Sequence, residues 1–596
     1  MLPQEFYTQR IIDLKAGFIK LNKRKSLLAW LRLATIISMG LCWYFLQPFG
    51  WLYILIPVLL LAILFTRLIY IDLKNKSHIE HTGFLITINE AELKALVHDY
   101  LNFPAGNEFI KKDHLYANDL DIFGHASLYQ YLNRTNSEMG NTILANWLLN
   151  PAGKENILQK QVAVKELKGL HQWRQQLQAL GTAKKIKKDT LLRLQNWFTE
   201  KNQFINNKVW LILQYLLPVF IITIISLNIS DTISNYFRNY CLLIAAVVSF
   251  YIYKKVTPIH QQVSKITDEL EILSASIQLI EETNFKSDYL KQLQNKFKFQ
   301  NSKASLKLEQ LKKILERFDL RYNPVVFIPL AIIMQWDLQQ AIALEKWKNK
   351  YHTDVLNWFN SLGEFEALNS LAILSFNHPG WCFPEIKDEH FYIEGKNIGH
   401  PLIENVKCVT NQIHINKTGK LMLVTGSNMA GKSTYLRSIG INTVLAMAGA
   451  PVCASSFSIS PVQVISSMRI TDNLEESTST FYAELKKLKT VIDKVNDNEK
   501  VFILLDEILR GTNSFDRHTG SAALIKQLIK HQAVGIIATH DIELAALKNE
   551  FPENILNYHF DVQVSNDELY FDYKLKDGIC NSMNASILMK KIGIDI

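Results

Sequence analysis

Apolar and polar positions divide the chain into three kinds of stretch. The first is the long apolar run. Leu27 to Leu46 is apolar except for Arg32, Gln47-Pro48-Phe49-Gly50 makes a tight turn, and Trp51 to Tyr70 is apolar except for Arg67. A second pair follows from Val209 to Leu227 and from Tyr240 to Tyr253, the latter extendable back to Phe237. Runs of about 20 residues have the length of a bilayer-spanning helix. Trp43, Tyr44, Trp51, Tyr53 and Tyr70 stand at the ends of the first pair, as an interfacial belt would. The pattern predicts two transmembrane hairpins, with spans at about 27–46 and 51–70, then at about 209–227 and 237–253. A helical hairpin buried in protein is the other reading these runs admit. In the membrane reading, Arg32 snorkels toward the headgroups.

The second kind is the helical seam. Val263, Ile266, Leu270, Leu273, Ile277 and Ile280 recur at three- and four-residue intervals, and so do Ala304, Leu308, Leu311, Leu315 and Phe318. Each set predicts a long helix with one apolar stripe. Residues 81–205 read as soluble and helical, with Pro151 as a stop. The third kind is the short continuous apolar run. Leu421 to Thr425, Val501 to Leu505 and Gly535 to Thr539 predict strands buried on both faces of a parallel sheet.

Charge decides which way the hairpins face. Lys23, Arg24, Lys25, Lys74 and Lys76 flank the first pair on the outside, and Lys201, Lys208, Lys254 and Lys255 flank the second. Basic flanks stay on the cytoplasmic side. The expectation is a multi-pass protein of the cytoplasmic (inner) membrane with the rest of the chain in the cytosol. The net charge of +9 is compatible with a polyanionic partner without requiring one. Lys291, Lys296, Lys298, Lys303 and Lys307 could touch DNA phosphates, but a solvated face is the plainer reading. The six cysteines are scattered without a C-x-x-C, which reads as a reducing compartment and no zinc site. A cleavable signal peptide is not expected.

The candidate chemistry sits at the tips of the three short strands. After Thr425 the chain reads Gly426-Ser427-Asn428-Met429-Ala430-Gly431-Lys432-Ser433-Thr434 and opens a helix, the G-x-x-x-x-G-K-[ST] pattern in its strand–loop–helix context. Gly426 and Gly431 let backbone N–H groups turn onto phosphate oxygens, Lys432 reaches the β- and γ-phosphates of ATP, and Ser433 binds Mg²⁺. Asp506-Glu507 ends the second strand. Asp506 is expected to hold the metal and Glu507 to activate the attacking water. His540, at the tip of the third strand, is placed to sense the γ-phosphate.

Several segments resemble the MutS family. Ser127-Leu128 … Leu132-Asn133-Arg134-Thr135 … Met139-Gly140 … Trp147-Leu148-Leu149-Asn150-Pro151 is similar to the start of the core (lever) domain. Gly399-His400-Pro401-Leu402 resembles the His-Pro before the phosphate-loop strand, and Val409-Thr410-Asn411 falls where that family lines its adenine pocket. Asp506-Glu507-Ile508-Leu509-Arg510-Gly511-Thr512 and Asp472-Asn473-Leu474 … Ser479-Thr480-Phe481 … Glu484 resemble further MutS segments. The resemblance implies that Ser479 and Thr480 meet the nucleotide of the opposite subunit, hence a homodimer. Ser477-Thr478 stands where Gly-Arg is common in the family.

The resemblance implies an α/β P-loop NTPase domain of the ABC/MutS type, mainly parallel, C-terminal to an all-α lever domain, which the apolar runs interrupt with transmembrane helices. The expected division is 1–80 (first hairpin), 81–205 (core, first part), 206–256 (second hairpin), 257–376 (lever helices) and 377–596 (ATPase). It implies ATP and Mg²⁺ as cofactors, and ATP hydrolysis coupled to binding of mismatched or otherwise structured DNA. The apolar spans occupy the place of a mismatch-sensing N-terminal domain, and Phe383-Pro384-Glu385 and Phe551-Pro552-Glu553 match its Phe-x-Glu wedge by chance. A nuclease or Smr-like tail is not expected. The alternative function is an ATP-driven dimer switch acting on a membrane or protein partner without DNA.

Overall fold

The computed structural model describes residues 2–299, 302–427, 430–468, 480–565 and 568–579. Two helices of unusual length begin the chain, α1 (Pro3–Leu46) and α2 (Trp51–Leu96), joined by a short turn in which Gly50 adopts φ +102°. At 1.5 Å per residue each is about 66–69 Å long, twice what a bilayer requires. They pack along one another as an antiparallel pair. Between Leu27 and Leu64 their apolar side chains face outward, Trp30, Ile36, Leu59 and Ile63 among them. Arg32 does not reach out alone as expected: its guanidinium lies 3.1 Å from the Asp72 carboxylate on α2. An ion pair between the two helices neutralises the charge more directly than snorkelling could.

The far ends of this pair run into a helical body. α2 passes through residue 80 without a break, so the hairpin and the body share one helix. Glu92, near the end of α2, is buried and pairs with buried Arg134. Tyr7 of α1 donates its hydroxyl to Asn377 Oδ1 at 2.8 Å, and Asn377 Nδ2 donates to Glu92 at 2.8 Å. Within the body, Glu366 accepts from the backbone N–H and hydroxyl of Ser137, whose Oγ accepts from the Gly140 N–H and caps the helix Glu138–Leu149. Gly363 lets that helix approach closely, because a Cβ there would sit 3.0 Å from the Gly140 nitrogen.

The second apolar pair is α3 (Lys208–Ile229) and α4 (Asn235–Val263). The seams predicted downstream are real but belong to short helices: α5 (Thr267–Glu281) and α6 (Ala304–Phe318) have 15 residues each, with Leu270, Leu273, Ile277, Leu308, Leu311 and Leu315 buried. The longest helix of this region is elsewhere. After an 11-residue apolar helix, α7 (Pro324–Met334), the chain turns by 79° into α8 (Trp336–Asn377), 42 residues long. Two of the lysines between the seams are drawn into ion pairs. Lys291 pairs with Asp288 and Lys296 with Glu364, while Lys298 and Lys303 face each other across the two-residue strands β1 (Lys298–Phe299) and β2 (Ser302–Lys303).

The C-terminal region is α/β. A small sheet joins β3 (Glu385–Ile386), β4 (Ile393–Ile398), β5 (Asn411–Ile415) and β7 (Ser456–Ile459) in the order 3-7-4-5. The main sheet holds β6 (Leu421–Thr425), β8 (Gln463–Ser467), β9 (Val501–Asp506), β10 (Val534–Thr539), β11 (Ile555–Ser565) and β12 (Glu568–Asp577). Its order is 12-11-6-10-9-8, parallel except for edge strand β12. β6, β9 and β10 are buried throughout, as continuous apolar runs require. They are neighbours in register, with Thr539 beside Thr425 and Ala538 beside Asp506, so their C-terminal tips open onto one crevice.

Candidate functional site

The loop after β6 leads into α9 (Lys432–Ala448). Gly426 and Gly431 hold φ +145° and +105°. At Gly426 the space is closed as well, since a Cβ would meet the Phe560 carbonyl oxygen at 2.7 Å. Lys432, first in the helix, is buried and folds back over the loop. Its ammonium donates to the carbonyls of Gly426 and Ser427, both at 2.8 Å, and lies 3.4 Å from His540 Nδ1. Ala430 is buried, whereas Ser433 and Thr434 face a cavity of about 330 Å³. Asn428 and Met429 lie outside the described residues.

Two carboxylates follow at the tip of β9. Asp506 is buried, and its Oδ1 has no hydrogen-bond partner among the described residues. A buried carboxylate oxygen left unpaired is costly. An oxygen donor of this kind beside a phosphate-type loop fits a hard divalent cation such as Mg²⁺, with the Ser433 hydroxyl on the facing helix. Glu507 takes φ +52°, so the chain swings sharply out of the strand while its N–H still donates to Ala538 O at 2.9 Å. Its carboxylate pairs with His540 Nε2 and with Arg510 Nε, the latter at 2.7 Å. His540 Nδ1 lies 2.8 Å from Gly426 O, so the ring bridges the loop and the carboxylate. The bond to His540, helped by the charges of Arg510 and Lys432, holds the Glu507 carboxyl below the usual glutamate range against the opposing effect of burial.

The cavity runs from Lys432 and Ser433 to His400, Cys408, Val409 and Asn411, with Tyr573 at its edge. Burial, with the Arg437 charge adding to it, pushes the His400 imidazole down to about 4. That ring is neutral at physiological pH. Tyr573 belongs to β12 and adopts φ +51°. Asn411 fixes it there by donating to Tyr573 O at 3.0 Å and accepting from Leu575 N–H at 2.8 Å. The ring packs over Gly431, where a Cβ would be 3.0 Å from Tyr573 Cδ1.

Residues 422–592 match the family model for MutS domain V. The chain is 32% identical over 237 residues to the DNA mismatch repair protein MutS of Persephonella marina, covering 39% of this chain and 27% of that protein. It is 32% identical over 230 residues to human MutS protein homolog 4, covering 36% and 24%. Against the DNA mismatch repair protein MutS of Aquifex pyrophilus it is 33% identical over 223 residues, covering 36% and 25%. The C-terminal region of the chain thus carries a MutS domain V. The match spans about a quarter of each relative's length.

Within this MutS-family domain the structure gathers Gly426, Ser427, Gly431, Lys432, Ser433, Thr434, Asp506, Glu507 and His540 around the crevice. Ser479 and the side chain of Thr480 lie outside what is described, so the segment implied to act across a dimer has no geometry here. The helix that follows it, α10 (Thr480–Asn496), does reach the site. Buried Glu484 accepts from the Leu509 N–H, and Phe481 packs where a Cβ on Gly511 would be 2.7 Å away. α10 thereby clamps the loop that carries Glu507 and Arg510. Tyr573 is among the cavity residues that sequence reasoning passes over, with Lys407 and Ser438. The one signal for it is an aromatic residue in an alternating strand shortly before Asp577-Gly578.

Proposed function

We propose that this chain is a membrane-anchored ATPase of the P-loop, MutS type. The observation that carries this reading is the meeting of Lys432, Asp506, Glu507 and His540 at the tips of three adjacent parallel strands. The amides of loop 426–431 and Lys432 bind the phosphates of ATP, Lys432 exchanging two loop carbonyls for phosphate oxygens. Ser433 and Asp506 would hold Mg²⁺, whose chemistry there is to neutralise charge on the phosphates. Glu507 takes the proton of the attacking water once its carboxylate leaves His540 or Arg510, and His540 then reports on the γ-phosphate. The base enters the cavity against Tyr573 and neutral His400. Dimerisation through the region of Ser479 and Thr480 would bring a second copy onto the nucleotide. α1, α2, α3 and α4 are long and apolar enough to cross a membrane, and their basic flanks set the ATPase domain in the cytosol at the inner membrane.

Asp506→Asn tests the metal half of this reading. Removing a buried, unpaired charge should leave the nucleotide-free protein at least as stable as wild type. The rise in melting temperature given by Mg²⁺ with ATP should disappear. If the variant keeps that rise, Asp506 is not the metal-holding residue.

DNA is the partner of the first reading, following the family. The second reading is a switch acting on a membrane or protein partner; in its favour, Lys291 and Lys296 of the lever region are engaged by Asp288 and Glu364. Titration of the solubilised protein with branched and mismatched duplexes separates the two. Binding through phosphates must weaken steeply between low and moderate salt; binding that is absent at low salt favours the switch.

A further inference from the structure

α7 (Pro324–Met334) was not among the runs the sequence pattern singles out, being 11 residues long and too short to span. An apolar run of this length is usually a core helix or an interfacial one. The core alternative fails on exposure. Val325, Val326 and Ile328 are 84%, 42% and 54% exposed, and of the whole helix Phe327 and Ala331 alone are buried. The helix carries no charged residue.

Its path is an excursion out and back. Arg321, just before α7, pairs with Asp337, just after it, at 2.8 Å, and both side chains are buried. Trp336 Nε1 likewise donates to Arg317 O at 2.9 Å. The chain therefore leaves and returns at the same polar point. Between these points α7 lies against α4: Phe327 packs on Tyr253, Ser249 Oγ donates to Ala331 O at 2.8 Å, and Gln335 Nε2 donates to Ser249 Oγ at 2.9 Å. Ser249 precedes Lys254 by five residues, a depth of about 8 Å along a helix. Helices lying in the boundary between headgroups and acyl chains sit about 5–10 Å deep. The exposed face of α7 continues that of α4, where Val247, Phe250 and Tyr251 point outward. Tyr253 and Tyr322, aromatic with polar tips, mark the rim.

We propose that α7 is a re-entrant helix embedded in the cytoplasmic leaflet, with lipid as its partner, so that the corner between lever helices α6 and α8 rests in the membrane. This rests on the reading of α3 and α4 as membrane spans. Lipid is favoured over a second copy of the chain because the apolar face is continuous with those spans and ends at the level of their lysines.

The test places the photocrosslinker p-benzoylphenylalanine singly at Val325, Ile328, Val247 on α4 and Leu306 on α6. Leu306 is 51% exposed and stands at the end of α6 away from the corner with α7. Full-length protein is reconstituted in phosphatidylethanolamine–phosphatidylglycerol vesicles containing radiolabelled lipid. Lipid adducts are expected at 325, 328 and 247, at least fivefold above those at 306. Adducts at 247 with none at 325 and 328 overturn the proposal and leave the spans standing. Chain-to-chain adducts at 325 and 328 in place of lipid overturn it in favour of a dimer contact. No lipid adduct at 247 overturns the membrane reading and this proposal with it.

Discussion

Replacing Glu507 with Gln is expected to lower ATP turnover about 10²–10⁴-fold, the usual contribution of a positioned general base. ATP retention in the presence of magnesium should stay within a few-fold of wild type, because in the proposed function phosphate binding rests on Lys432 and the loop amides. In the structure the Glu507 carboxylate is already engaged, bonded to His540 and to Arg510. This is a resting arrangement: a base must be free to receive a proton. Binding of the γ-phosphate would compete for His540 and Lys432 and release the carboxylate toward water. The glutamine side chain keeps the shape and loses both the charge and the basicity, which isolates the chemical role. Phosphate release measured against filter retention of labelled ATP checks it, and unchanged turnover would reject the assignment. The pH dependence has a defined sign. The carboxyl is held below the usual glutamate range, so its charged form is present above that range and is lost as pH falls through the lowered value. The stability contributed by its contacts follows the same course and is lost as pH falls through the lowered value.

The parts of this site that the sequence discloses are the ones that local physics writes in short segments. Val501 to Leu505 must be buried on both faces to be that apolar, and such a strand ends where its first carboxylates stand. Gly426 and Gly431 are needed for positive φ, so the loop is legible without its neighbours. What stays hidden depends on partners distant in the chain. Arg32 reads as a lone charge in an apolar run, and its partner Asp72 is reached only because the hairpin folds back. Tyr573 reaches the cavity through Asn411, 162 residues earlier. Glu484 shows in sequence as part of a motif, but its hold on Leu509 requires the tertiary fold. The 42-residue α8 gives no single stripe because Phe365 to Phe376 is enclosed nearly all round, whereas α5 and α6 keep one polar face and so show their seams.

Glu92→Gln is expected to be the most destabilising single change in the helical body, by about 3–5 kcal/mol, the cost of stranding one member of a buried ion pair. Glu92 and Arg134 are both almost fully enclosed. Arg134 lies flat over Phe103, 3.6 Å from the ring centre, and donates to the carbonyls of Tyr131 and Asn133. Those carbonyls take up its N–H groups but leave its charge uncompensated. With a glutamine at 92, the guanidinium keeps its burial and loses its counter-charge, and Asn377 loses an anionic acceptor. The double change Glu92→Leu with Arg134→Met removes both charges and should recover a substantial part of the loss, as apolar replacement of buried pairs commonly does. Urea unfolding of the detergent-solubilised protein, followed by tryptophan fluorescence, reads both variants. A midpoint unmoved by Glu92→Gln would mean that the pair does not hold the hairpin to the body. The pair has a mechanical meaning beyond stability. Glu92 is on α2, Tyr7 is on α1, and Asn377 is the last residue of α8, immediately before the α/β region. One buried cluster therefore ties both helices of the first hairpin to the end of α8, from which the α/β region begins. A change in that region's position cannot pass along α8 without loading this cluster.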